Sequence, residues 1–375
     1  MMRYSYDWLI VGAGFTGAII AERLASVYNQ KIWVIDRRNH IAGNAYDSIN
    51  EHNILYHVYG PHIFHTNSDR VIQYLSHFTD WKNYEHRVVG LVKGRFIPIP
   101  FNLTSIEILF SQKEAEDLKN LLLHTYGINI KVPILEMMKN SDEKIRFLAD
   151  FIYQNVFIGY TTKQWGLKPE ELSPSVTERV PVHISYDDRY FQDKFQKMPK
   201  DGYTKLIERI LNHPNITLSL NTEYNDVRNC NSFEKTIFTG SIDEYFDYKL
   251  GELPYRSLHF DVQSYQQRIH QPVAQVNYPN DHQYTRITEM IHFNKVYRNK
   301  MTTVEIEYPQ PYIIGKNIPY YPISQENNER LYQQYLCLIR QSSKKVFFAG
   351  RLGTYRYLNM DQAVDQALTL VEKIH

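Results

Sequence analysis

The chain has little of what marks several classes of protein. Only two of its 375 residues are cysteines, Cys230 and Cys337, and they form no CxxC pair, so we predict reduced thiols rather than a disulfide framework. No run of about 18 apolar residues occurs, so we predict no membrane-spanning helix. The N-terminal MMRYSYDWLIVGAG lacks the apolar segment and the small-residue cleavage site of a signal peptide. Together these features predict a cytoplasmic protein.

An excess of charge of one sign is also missing. The chain contains 42 Lys and Arg residues against 41 Asp and Glu residues, which gives a net charge of +1. A protein that binds nucleic acid usually presents a strong positive potential, so we predict no nucleic-acid partner. An anionic ligand would have to be bound by a few well-placed cations.

The residue that the sequence contains in quantity is tyrosine, with 30 copies. The ring and hydroxyl of tyrosine suit the binding of sugars and nucleobases, although an aromatic-rich core would have the same composition. Apolar residues make up 43% of the chain, which is enough for a substantial core. A chain of this length predicts two or three lobes rather than a single core.

The segment DWLIVGAGFTGAIIAERLA carries the clearest motif. Residues 8–11 are predicted as a short buried strand, followed by G-x-G-x-x-G at Gly12, Gly14 and Gly17 and then by a helix. A second buried strand, KIWVID, ends at Asp36, near the spacing at which an acid reaches a ribose hydroxyl. Glycines at these positions let a pyrophosphate approach the N–H groups of the helix N-terminus. The segment therefore predicts a dinucleotide-binding βαβ unit.

The residues around the acid favour FAD over NADP. In RRNHIAGNAY a basic residue and a glycine turn follow the acid, as in the FAD-binding glutathione-reductase class, although Ala42-Gly43 replaces the usual Gly-Gly pair. Arg37 could bind a 2′-phosphate, but Asp36 argues against NADP. The candidate cofactor residues in this part of the chain are Gly12, Gly14, Phe15, Thr16, Gly17, Asp36, Arg37, Gly43 and Asn44.

Helical and strand-like patterns divide the remaining sequence. Within 102–172, SQKEAEDLKNLLLHTYG and SDEKIRFLADFIYQNVFIGY have apolar residues at helical spacing, with serines as N-caps. GYTKLIERIL is predicted as a helix, and VPVHISYDDRYF, TLSLNTEY, KTIFTGS, YRSLHFDVQSY and MTTVEIEY as strands. Near the end, KKVFFAGRL is predicted as a buried strand and NMDQAVDQALTLVEKI as an amphipathic helix, whose N-terminus is a second site that favours anions.

Two histidines in YGPHIFHT, His62 and His65, have several interpretations. A metal site would need further ligands, and no cysteine or acid cluster lies nearby in sequence, so we predict no metal. A nucleophile–histidine pair has no elbow motif to support it. The two residues therefore either pack structurally or shape a site that more distant segments complete.

Five blocks in order along the chain carry a resemblance to a known family. GPHIFHTN, YTTKQWG, ERVPVHISYDDRYF, YTRITE and FAGRLGTYRYLNMDQA resemble the bacterial UDP-galactopyranose mutases. The resemblance implies an α/β flavoprotein with an FAD-binding Rossmann-like domain, an inserted helical bundle and an antiparallel β-sheet domain. The implied boundaries are 1–78, 196–248 and 328–375 for the first, 101–178 with a mobile substrate loop for the second, and 79–100, 179–195 and 249–327 for the third.

The resemblance also implies a reaction, the interconversion of UDP-galactopyranose and UDP-galactofuranose without net redox. The sugar ring cannot open while C1 is bonded to the diphosphate, so a nucleophile has to take C1 while the nucleoside diphosphate is held nearby. In the family this nucleophile is N5 of reduced FAD, which holds the sugar covalently while the ring recloses through O4. The implied protein is an isomerase with a nucleotide-sugar substrate, and a homodimer.

Arginines suit the retention of a departing diphosphate because their planar fork binds two phosphate oxygens at once. By the resemblance these arginines are Arg179 and Arg286, which would otherwise be ordinary surface residues. His65 is implied as a third catalytic residue, near the reactive face of the flavin. The other implied cofactor residues are His62, Ile63, Gly350, Arg351 and Met360.

Aromatic side chains are implied around the nucleotide, where stacking on a base contributes roughly 1–3 kcal/mol. The implied substrate residues are Phe157, Tyr160, Thr161, Trp165, Arg179, Tyr190, Arg286, Tyr320, Tyr321, Tyr357 and Asn359. The sequence does not decide which of Tyr320 and Tyr321 faces the substrate.

Asn359 departs from the family, whose pattern at this point is Tyr-x-Asp-Met. The asparagine removes one negative charge beside a diphosphate site, and together with Ala42 it indicates a divergent branch. A sibling mutase that acts on another nucleotide sugar, such as TDP-fucopyranose, is therefore an alternative. More distant alternatives are an FAD oxidoreductase of the amine-oxidase type and a flavin-bearing binding protein without turnover.

Overall fold

The computed structural model describes residues 5–172, 181–230, 232–294, 300–341 and 345–374. The strands are β1 (Tyr6–Val11), β2 (Ile32–Ile35), β3 (Asp47–Ile49), β4 (Leu55–His57), β5 (Phe64–Thr66), β6 (Trp81–Asn83), β7 (Val88–Val92), β8 (Arg95–Ile99), β9 (Ile130–Val132), β10 (Val182–Ile184), β11 (Phe195–Pro199), β12 (Ile216–Ser219), β13 (Phe233–Phe238), β14 (Tyr255–Tyr265), β15 (Gln275–Asn277), β16 (Arg286–Glu289), β17 (Thr302–Pro311), β18 (Tyr321–Pro322) and β19 (Val346–Phe348). The helices are α1 (Phe15–Tyr28), α2 (Asp69–Ser76), α3 (Leu103–Leu109), α4 (Gln112–Tyr126), α5 (Ile134–Met137), α6 (Glu143–Ile152), α7 (Ile158–Trp165), α8 (Tyr203–Leu211), α9 (Tyr224–Val227), α10 (Ile242–Tyr245), α11 (Ile291–Asn294), α12 (Glu326–Gln341), α13 (Gly350–Gly353) and α14 (Met360–Ile374). Short 3-10 turns lie at Gly43–Ala45 and Pro169–Glu171, and a π-helical turn at Tyr153–Phe157 joins α6 to α7. This mixture confirms the predicted α/β class.

The dinucleotide motif lies in a parallel sheet of five strands. The strand order is β12-β2-β1-β13-β19, and every neighbouring pair is parallel. Helix α1 contacts both α8 and α14 over a core that includes the fully buried Trp8, Ile19 and Ile237. The sheet is thus assembled from segments far apart in sequence, and it confirms the predicted strands in KIWVID, TLSLNTEY and KTIFTGS.

The burial predicted for the last strand is wrong. KKVFFAGRL contains the predicted strand, but β19 is the final strand of the sheet and its residues are only partly buried. Phe347 packs against the core beneath α1, whereas Phe348 packs against a separate aromatic cluster. A strand that carries apolar residues on both faces has the composition of an interior strand even when it lies at a sheet edge.

Helices α3 to α7 pack together around a second apolar core that includes Leu118. Ser111 caps α4 as predicted: its hydroxyl accepts from the Glu114 N–H, and the Glu114 carboxylate accepts from the Ser111 N–H. The predicted serine cap on α6 is wrong. The carboxylate of Asp142, rather than Ser141, accepts from the N–H groups of the first turn.

A mixed sheet of seven strands faces the helical region. Its order is β18-β14-β17-β16-β15-β7-β8, antiparallel throughout except for the β15–β7 pair. YRSLHFDVQSY and MTTVEIEY form its two longest strands, as predicted. In VPVHISYDDRYF only Val182–Ile184 forms a strand, which pairs with β9. The domain boundaries given above stay a prediction, and residues 173–178 of the proposed helical bundle lie outside the described residues.

The two cysteines, Cys230 and Cys337, are free. Within the described ranges, no helix has the length and apolar character needed to cross a membrane.

A buried carboxylate connects the two-stranded sheet formed by β3 and β4 to helix α8. Both oxygens of Asp47, on β3, accept from the first N–H groups of α8, from Tyr203 at 2.6 Å and from Thr204 at 2.9 Å. Gly202, which precedes the helix, provides no cap of its own, and a β-carbon there would lie 2.5 Å from Asp47 Oδ2. Asp47 therefore acts as the N-cap of a helix more than 150 residues away in sequence.

We predict that Asp47→Ala lowers the free energy of unfolding by about 2 kcal/mol, because two buried N–H groups lose their acceptor. Thermal unfolding monitored by circular dichroism measures the effect. Asp150→Ala is the matched control, since Asp150 is exposed on α6. Equal stability of the two variants would contradict the capping role.

Candidate functional site

A cavity of about 720 Å³ lies between the parallel sheet, the helical region and the seven-stranded sheet. The segment 59–63 lines it from the first region, α7 from the second, and β15 and β16 from the third. The N-terminus of α14 and the residues before it form a further part of the wall. A cavity of this size is in the range of small-molecule and cofactor sites.

The glycine motif has the geometry of a dinucleotide-binding turn. Gly12 has φ +105°, and a β-carbon there would lie 2.0 Å from Thr239 Oγ1. A β-carbon on Gly17 would lie 1.9 Å from the carbonyl oxygen of Gly12, so α1 can approach the sheet this closely only with glycine. Gly14 differs, since a β-carbon there would only come within 3.7 Å of Gly43. Gly12 and Gly17 serve packing, and Gly14 and Gly43 leave space at the helix N-terminus.

The start of α1 retains its capacity to bind an anion. Its N-cap residue, Gly14, makes no side-chain hydrogen bond to the first-turn N–H groups. Asp36, at the end of β2, accepts from the N–H of Ala13 and of Arg38, at 2.9 Å each. Each carboxylate oxygen has a second lone pair for a ribose hydroxyl. This arrangement of open N–H groups beside an acid fits the pyrophosphate and ribose of FAD.

Arg37, a predicted cofactor residue, is directed elsewhere, and its neighbour Arg38 is a second candidate. The Arg37 guanidinium pairs with Glu244 at 2.7 Å and with Glu223 at 3.8 Å. The Arg38 guanidinium lies 4.5 Å from the Tyr59 ring and donates to Asn44 Oδ1 at 2.8 Å. Its Nη1 is buried and has no hydrogen-bond partner among the described residues. A buried guanidinium nitrogen without a partner fits an anionic cofactor group, so Arg38 is better placed than Arg37 for this role, and both assignments stay predictions.

His62 is a neutral histidine with a fixed tautomer. Burial lowers its pKa to about 3, with a further contribution from His57. Its Nδ1 lies 2.7 Å from the carbonyl oxygen of Gly60 and therefore carries the proton. The backbone N–H of His62 donates to His57 Nδ1 at 2.9 Å. Nε2 of His62 is consequently a hydrogen-bond acceptor in the wall of the cavity.

His65 is held by a carboxylate and an aromatic ring. Its Nδ1 donates to Asp193 Oδ2 at 3.0 Å, and this hydrogen bond holds the pKa of Asp193 below its ordinary value. The imidazole stacks on Phe191 with 3.6 Å between ring centroids and a 13° angle between planes. Nε2 is the nitrogen of His65 that a ligand can use.

Arg286 is a partly buried cation in the wall of the cavity, with 19% of its side chain exposed. Its Nε and Nη2 donate to Glu307 Oε2 at 2.8 Å and 2.5 Å. Burial alone would lower the pKa of Arg286, but the carboxylate of Glu307 leaves it well above its ordinary value. Both contacts use one side of the guanidinium, and no described residue accepts from Nη1. A phosphate oxygen could bind at that nitrogen.

Arg179, the second predicted diphosphate arginine, lies outside the described residues, so its role stays a prediction.

Aromatic rings form one wall of the cavity around Arg351. The guanidinium carbon of Arg351 lies 5.2 Å from the centroid of Tyr321 and 5.1 Å from that of Tyr357, whose rings stack at 5.2 Å. Trp165 lies 6.0 Å from Tyr321. Tyr320 also lines the cavity, but its ring packs against Phe260. Tyr321 is therefore the member of the pair on the side of Arg351 and Trp165.

Two basic side chains fix the position of α7. The ammonium group of Lys163 donates to the carbonyl oxygens of Tyr278, His282 and Tyr284. Arg256 donates to the carbonyl oxygens of Gln164 and Lys163 at the end of the helix, at 2.9 Å and 3.1 Å. Cations at a helix C-terminus are favourable because the free carbonyl groups there carry partial negative charge. The two contacts attach the helix that bears Tyr160 and Trp165 to the seven-stranded sheet.

Sixteen of the predicted site residues line the cavity, and the others lie at the dinucleotide turn, except Arg37, which pairs with carboxylates elsewhere, and Arg179, which lies outside the described residues. The lining ones are Asn44, His62, Ile63, His65, Phe157, Tyr160, Thr161, Trp165, Tyr190, Arg286, Tyr320, Tyr321, Arg351, Tyr357, Asn359 and Met360. Gly12, Gly14, Phe15, Thr16, Gly17, Asp36, Gly43 and Gly350 form or adjoin the turn around α1. Their individual roles stay proposals.

Sequence reasoning missed the polar face of the seven-stranded sheet. Gln275 and Asn277 on β15 line the cavity beside Arg286 on β16. Asn277 pairs with Arg286, and Arg286 pairs with Glu307, so the three side chains share one face. Polar residues at every second position in QVN and RITE are the only local signal of this face.

Among the described residues, no group of three or more His, Cys, Asp or Glu side chains could hold a metal ion.

Comparison with known proteins adds independent findings. The family profile of UDP-galactopyranose mutase matches residues 155–357, more than half of the chain, and a profile of NAD(P)-binding Rossmann-like domains matches residues 10–78. The chain is 39% identical to a protein of Klebsiella pneumoniae named "probable UDP-galactopyranose mutase", over 97% of this chain and 94% of that one. The chain belongs to the UDP-galactopyranose mutase family.

Two further matches bear on the family and the fold. The chain is 34% identical to the dTDP-fucopyranose mutase of Escherichia coli, over 96% of each chain. A crystal structure of reduced UDP-galactopyranose mutase matches with a TM-score of 0.71 at 15% identity, covering 98% of this chain and 95% of that one. The protein is thus a flavin-dependent mutase, an isomerase that acts on a nucleotide sugar. Its Rossmann-like domain and its family together imply FAD as the cofactor.

The preference for Arg38 over Arg37 generates a prediction. Arg38→Met should weaken FAD binding by about tenfold, since a buried charge-assisted hydrogen bond contributes about 1.5–3 kcal/mol. Arg37→Met is the matched control, because Arg37 pairs only with carboxylates at the edge of the layer. Titration of apoprotein with FAD, followed by flavin fluorescence, gives the affinity of each variant. An effect of Arg37→Met equal to that of Arg38→Met would refute this preference.

Proposed function

We propose that the protein interconverts UDP-galactopyranose and UDP-galactofuranose on reduced FAD. The observation that carries this proposal is the partly buried Arg286 in a cavity that also contains His62 and adjoins the dinucleotide turn. A pyrophosphate of the cofactor and a diphosphate of the substrate would then have separate cations, Arg38 for the first and Arg286 for the second. An oxidoreductase of the amine-oxidase type, whose substrate carries no phosphate, needs no such second phosphate-binding cation.

The residues of the dinucleotide turn would hold the cofactor. The N–H groups of α1 would bind the pyrophosphate, Asp36 the ribose, and Arg38 a neighbouring anionic group. Reduced FAD, when bound by these residues, would supply a nucleophilic nitrogen, N5, for C1 of the sugar. The protein supplies the position and the charges that this reaction needs.

Arg286 would retain the nucleoside diphosphate after its bond to C1 has broken. The leaving group has to stay because it must return to C1 once the ring has reclosed. Arg286 is suited to this because Glu307 fixes the guanidinium in one orientation from behind. A pre-oriented cation in a site that excludes water stabilises developing negative charge with little reorganisation. We propose Arg179 as a second cation for the same group.

Tyr160, Trp165 and Phe157 would flank the nucleoside. These residues lie on α7 or on the π-helical turn before it, and all three line the cavity. Burial raises the pKa of Tyr160, so its hydroxyl stays protonated and can donate a hydrogen bond. Tyr190, Thr161 and Asn359 are proposed polar contacts to the same ligand.

The two histidines, His62 and His65, would position hydrogen bonds at the reacting end. Nε2 of His62 is an acceptor, and it can accept a hydrogen bond from a sugar hydroxyl or from a flavin N–H. His65 would present its Nε2 to the same region, with Asp193 holding the ring in place. Arg351 would stabilise the negative charge of reduced flavin, and its contacts with Tyr321 and Tyr357 keep it beside the cavity.

A second candidate function is the equivalent reaction on dTDP-fucopyranose. The observation that favours it is the 34% identity to the dTDP-fucopyranose mutase of Escherichia coli over 96% of each chain. That substrate carries a methyl group on the base and lacks the 6-hydroxyl of galactose. The two candidate substrates therefore differ at both ends of the molecule, in the base and in the sugar.

We also propose a homodimer, which rests on the family resemblance alone, and a cytoplasmic location, which rests on the sequence features described above. Analytical ultracentrifugation of the purified protein tests the first part, and fractionation of cells that express it tests the second.

The proposed reaction is tested with chemically reduced holoenzyme. We expect UDP-galactopyranose to give a furanose product, resolved by liquid chromatography, without consumption of an electron acceptor. UDP-galactose and dTDP-fucose are supplied in parallel, and the larger kcat/KM identifies the substrate. Stoichiometric consumption of oxygen with no furanose from either sugar would contradict the proposal and favour an oxidoreductase.

We predict that Arg286→Ala lowers kcat/KM by about 10²–10³, the loss typical for one preorganised donor to a developing anion. FAD content should stay unchanged, since Arg286 is proposed to bind the substrate. Arg189→Ala is the control, because the Arg189 guanidinium is already paired with Asp187 at 2.7 Å. A loss of less than fivefold for Arg286→Ala would contradict the proposed role.

A further inference from the structure

The seven-stranded sheet buries two glutamates that differ sharply in their surroundings. Glu289 on β16 and Glu305 on β17 are 0% and 1% exposed. Glu289 accepts from the N–H groups of His270 and Gln271 and from the hydroxyl of Thr302. Burial would raise the pKa of Glu289, but these donors and His292 hold it below its ordinary value. Glu289 is therefore an ionised carboxylate whose hydrogen-bond donors all come from the protein, and its role is structural.

Glu305 has no comparable set of donors, although the backbone N–H of Gly60 partly favours its ionised form. Neither of its carboxyl oxygens has a hydrogen-bond partner among the described residues. Burying an ionised carboxylate without partners is strongly unfavourable, so such a group takes up a proton instead. Burial and the neighbouring carboxylate of Glu307 raise the pKa of Glu305 well above its ordinary value, against the opposing effect of Arg286.

The register of the sheet brings Glu305 to the functional face. Residues 305 and 307 lie two apart on β17 and so point to the same side. Glu305 pairs with Thr288, and Glu307 pairs with Arg286, on β16. The opposite face carries Val304 and Ile306 with a cluster of tyrosines, and it also carries Glu289. Glu305 thus lies behind the cavity, on the side of the Arg286–Glu307 pair.

Glu305 also meets the segment that carries His62. A β-carbon built on Gly60 would lie 3.9 Å from Glu305 Oε1 and 2.9 Å from the ring of Phe260. The carboxyl therefore lies between the sheet and the turn that begins YGPHIFHT. The groups with charge or a titratable proton that interact with it are Glu307 on β17, Arg286 on β16 and Tyr320, and the segment itself contributes the N–H of Gly60.

We propose that Glu305 is a positioning residue, retained as an uncharged acid behind the Arg286–Glu307 pair so that the pair can bind a nucleoside diphosphate. Arg286 and Glu307 already cancel each other's formal charge. An ionised Glu305 would make the group of three residues negative and would repel a diphosphate. The inference rests on the proposed function, since it takes Arg286 as the residue that binds the diphosphate.

Glu305→Gln is the decisive variant because glutamine has nearly the shape of the neutral acid and cannot ionise. The affinity for UDP is measured by calorimetry on the FAD-bound protein between pH 7 and pH 10. At pH 7 we expect the two proteins to bind UDP within twofold of each other. At any pH high enough to ionise Glu305, the wild-type protein should lose about tenfold more affinity than Glu305→Gln, the effect expected of one added charge at an effective dielectric constant of about 20.

The titration of Lys163 and of the cavity tyrosines does not explain a difference in pH dependence between the wild-type protein and Glu305→Gln. Burial lowers the pKa of Lys163 to about 8, but Lys163 titrates in both proteins. Burial raises the pKa values of Tyr160, Tyr320 and Tyr321, so their hydroxyls keep their protons in this range. Glu289→Gln serves as the matched control, since it replaces an equally buried glutamate on the other face. It should reproduce the wild-type pH dependence.

Two further measurements test the protonation state itself. At pH 8 the wild-type protein should have an infrared C=O band of a protonated carboxyl that Glu305→Gln lacks. An acid whose pKa is raised in the folded state contributes stability that is complete below its unfolded pKa and is lost as pH rises. Glu305→Gln should therefore be more thermostable than the wild-type protein at pH 8, and this advantage should shrink toward pH 4.

The outcomes distinguish a wrong role for Glu305 from a wrong proposed function. The absence of the infrared band would overturn the inference while UDP binding by the wild-type protein persists. Affinity curves that stay parallel at a pH where the band has been lost through ionisation would also overturn it. Failure of the wild-type protein to bind UDP at pH 7 would overturn the proposed function instead.

Discussion

The site depends on one interaction, the fixing of the Arg286 guanidinium by the Glu307 carboxylate on a buried sheet face. A lone buried arginine would be costly, and a surface arginine would be screened by solvent. The pairing of Arg286 with Glu307 across β16 and β17 compensates the positive charge within the protein. It also leaves Nη1 of the guanidinium for a ligand. The other walls of the cavity then position a ligand against this nitrogen.

The surrounding elements are arranged around that fixed point. Lys163 and Arg256 attach α7 to the seven-stranded sheet through backbone carbonyls, so the aromatic residues of the helix keep their distance from Arg286. The segment with His62 rests on the same sheet, through Gly60 against Phe260. The cofactor turn belongs to the other sheet, and the cavity forms where the two sheets meet.

Local signals predicted much of this architecture. The glycine spacing, Asp36 and the strand–helix–strand pattern depend on neighbouring residues, and the sequence displays them directly. Choices between adjacent residues of the same type are not decided by the sequence, as with Arg37 and Arg38, or Ser141 and Asp142, because either member suits the local chemistry. The polar face formed by Asn277, Arg286 and Glu307 depends on strand register between distant segments, which no local pattern encodes.

The central claim is that Arg286 holds the diphosphate of a nucleotide ligand inside the cavity. A crystal structure of the FAD-bound, reduced protein with UDP tests it most directly. The account predicts a phosphate oxygen within hydrogen-bonding distance of the Arg286 guanidinium, with the base beside α7. A diphosphate bound elsewhere, with Glu307 still the only partner of Arg286, would contradict it.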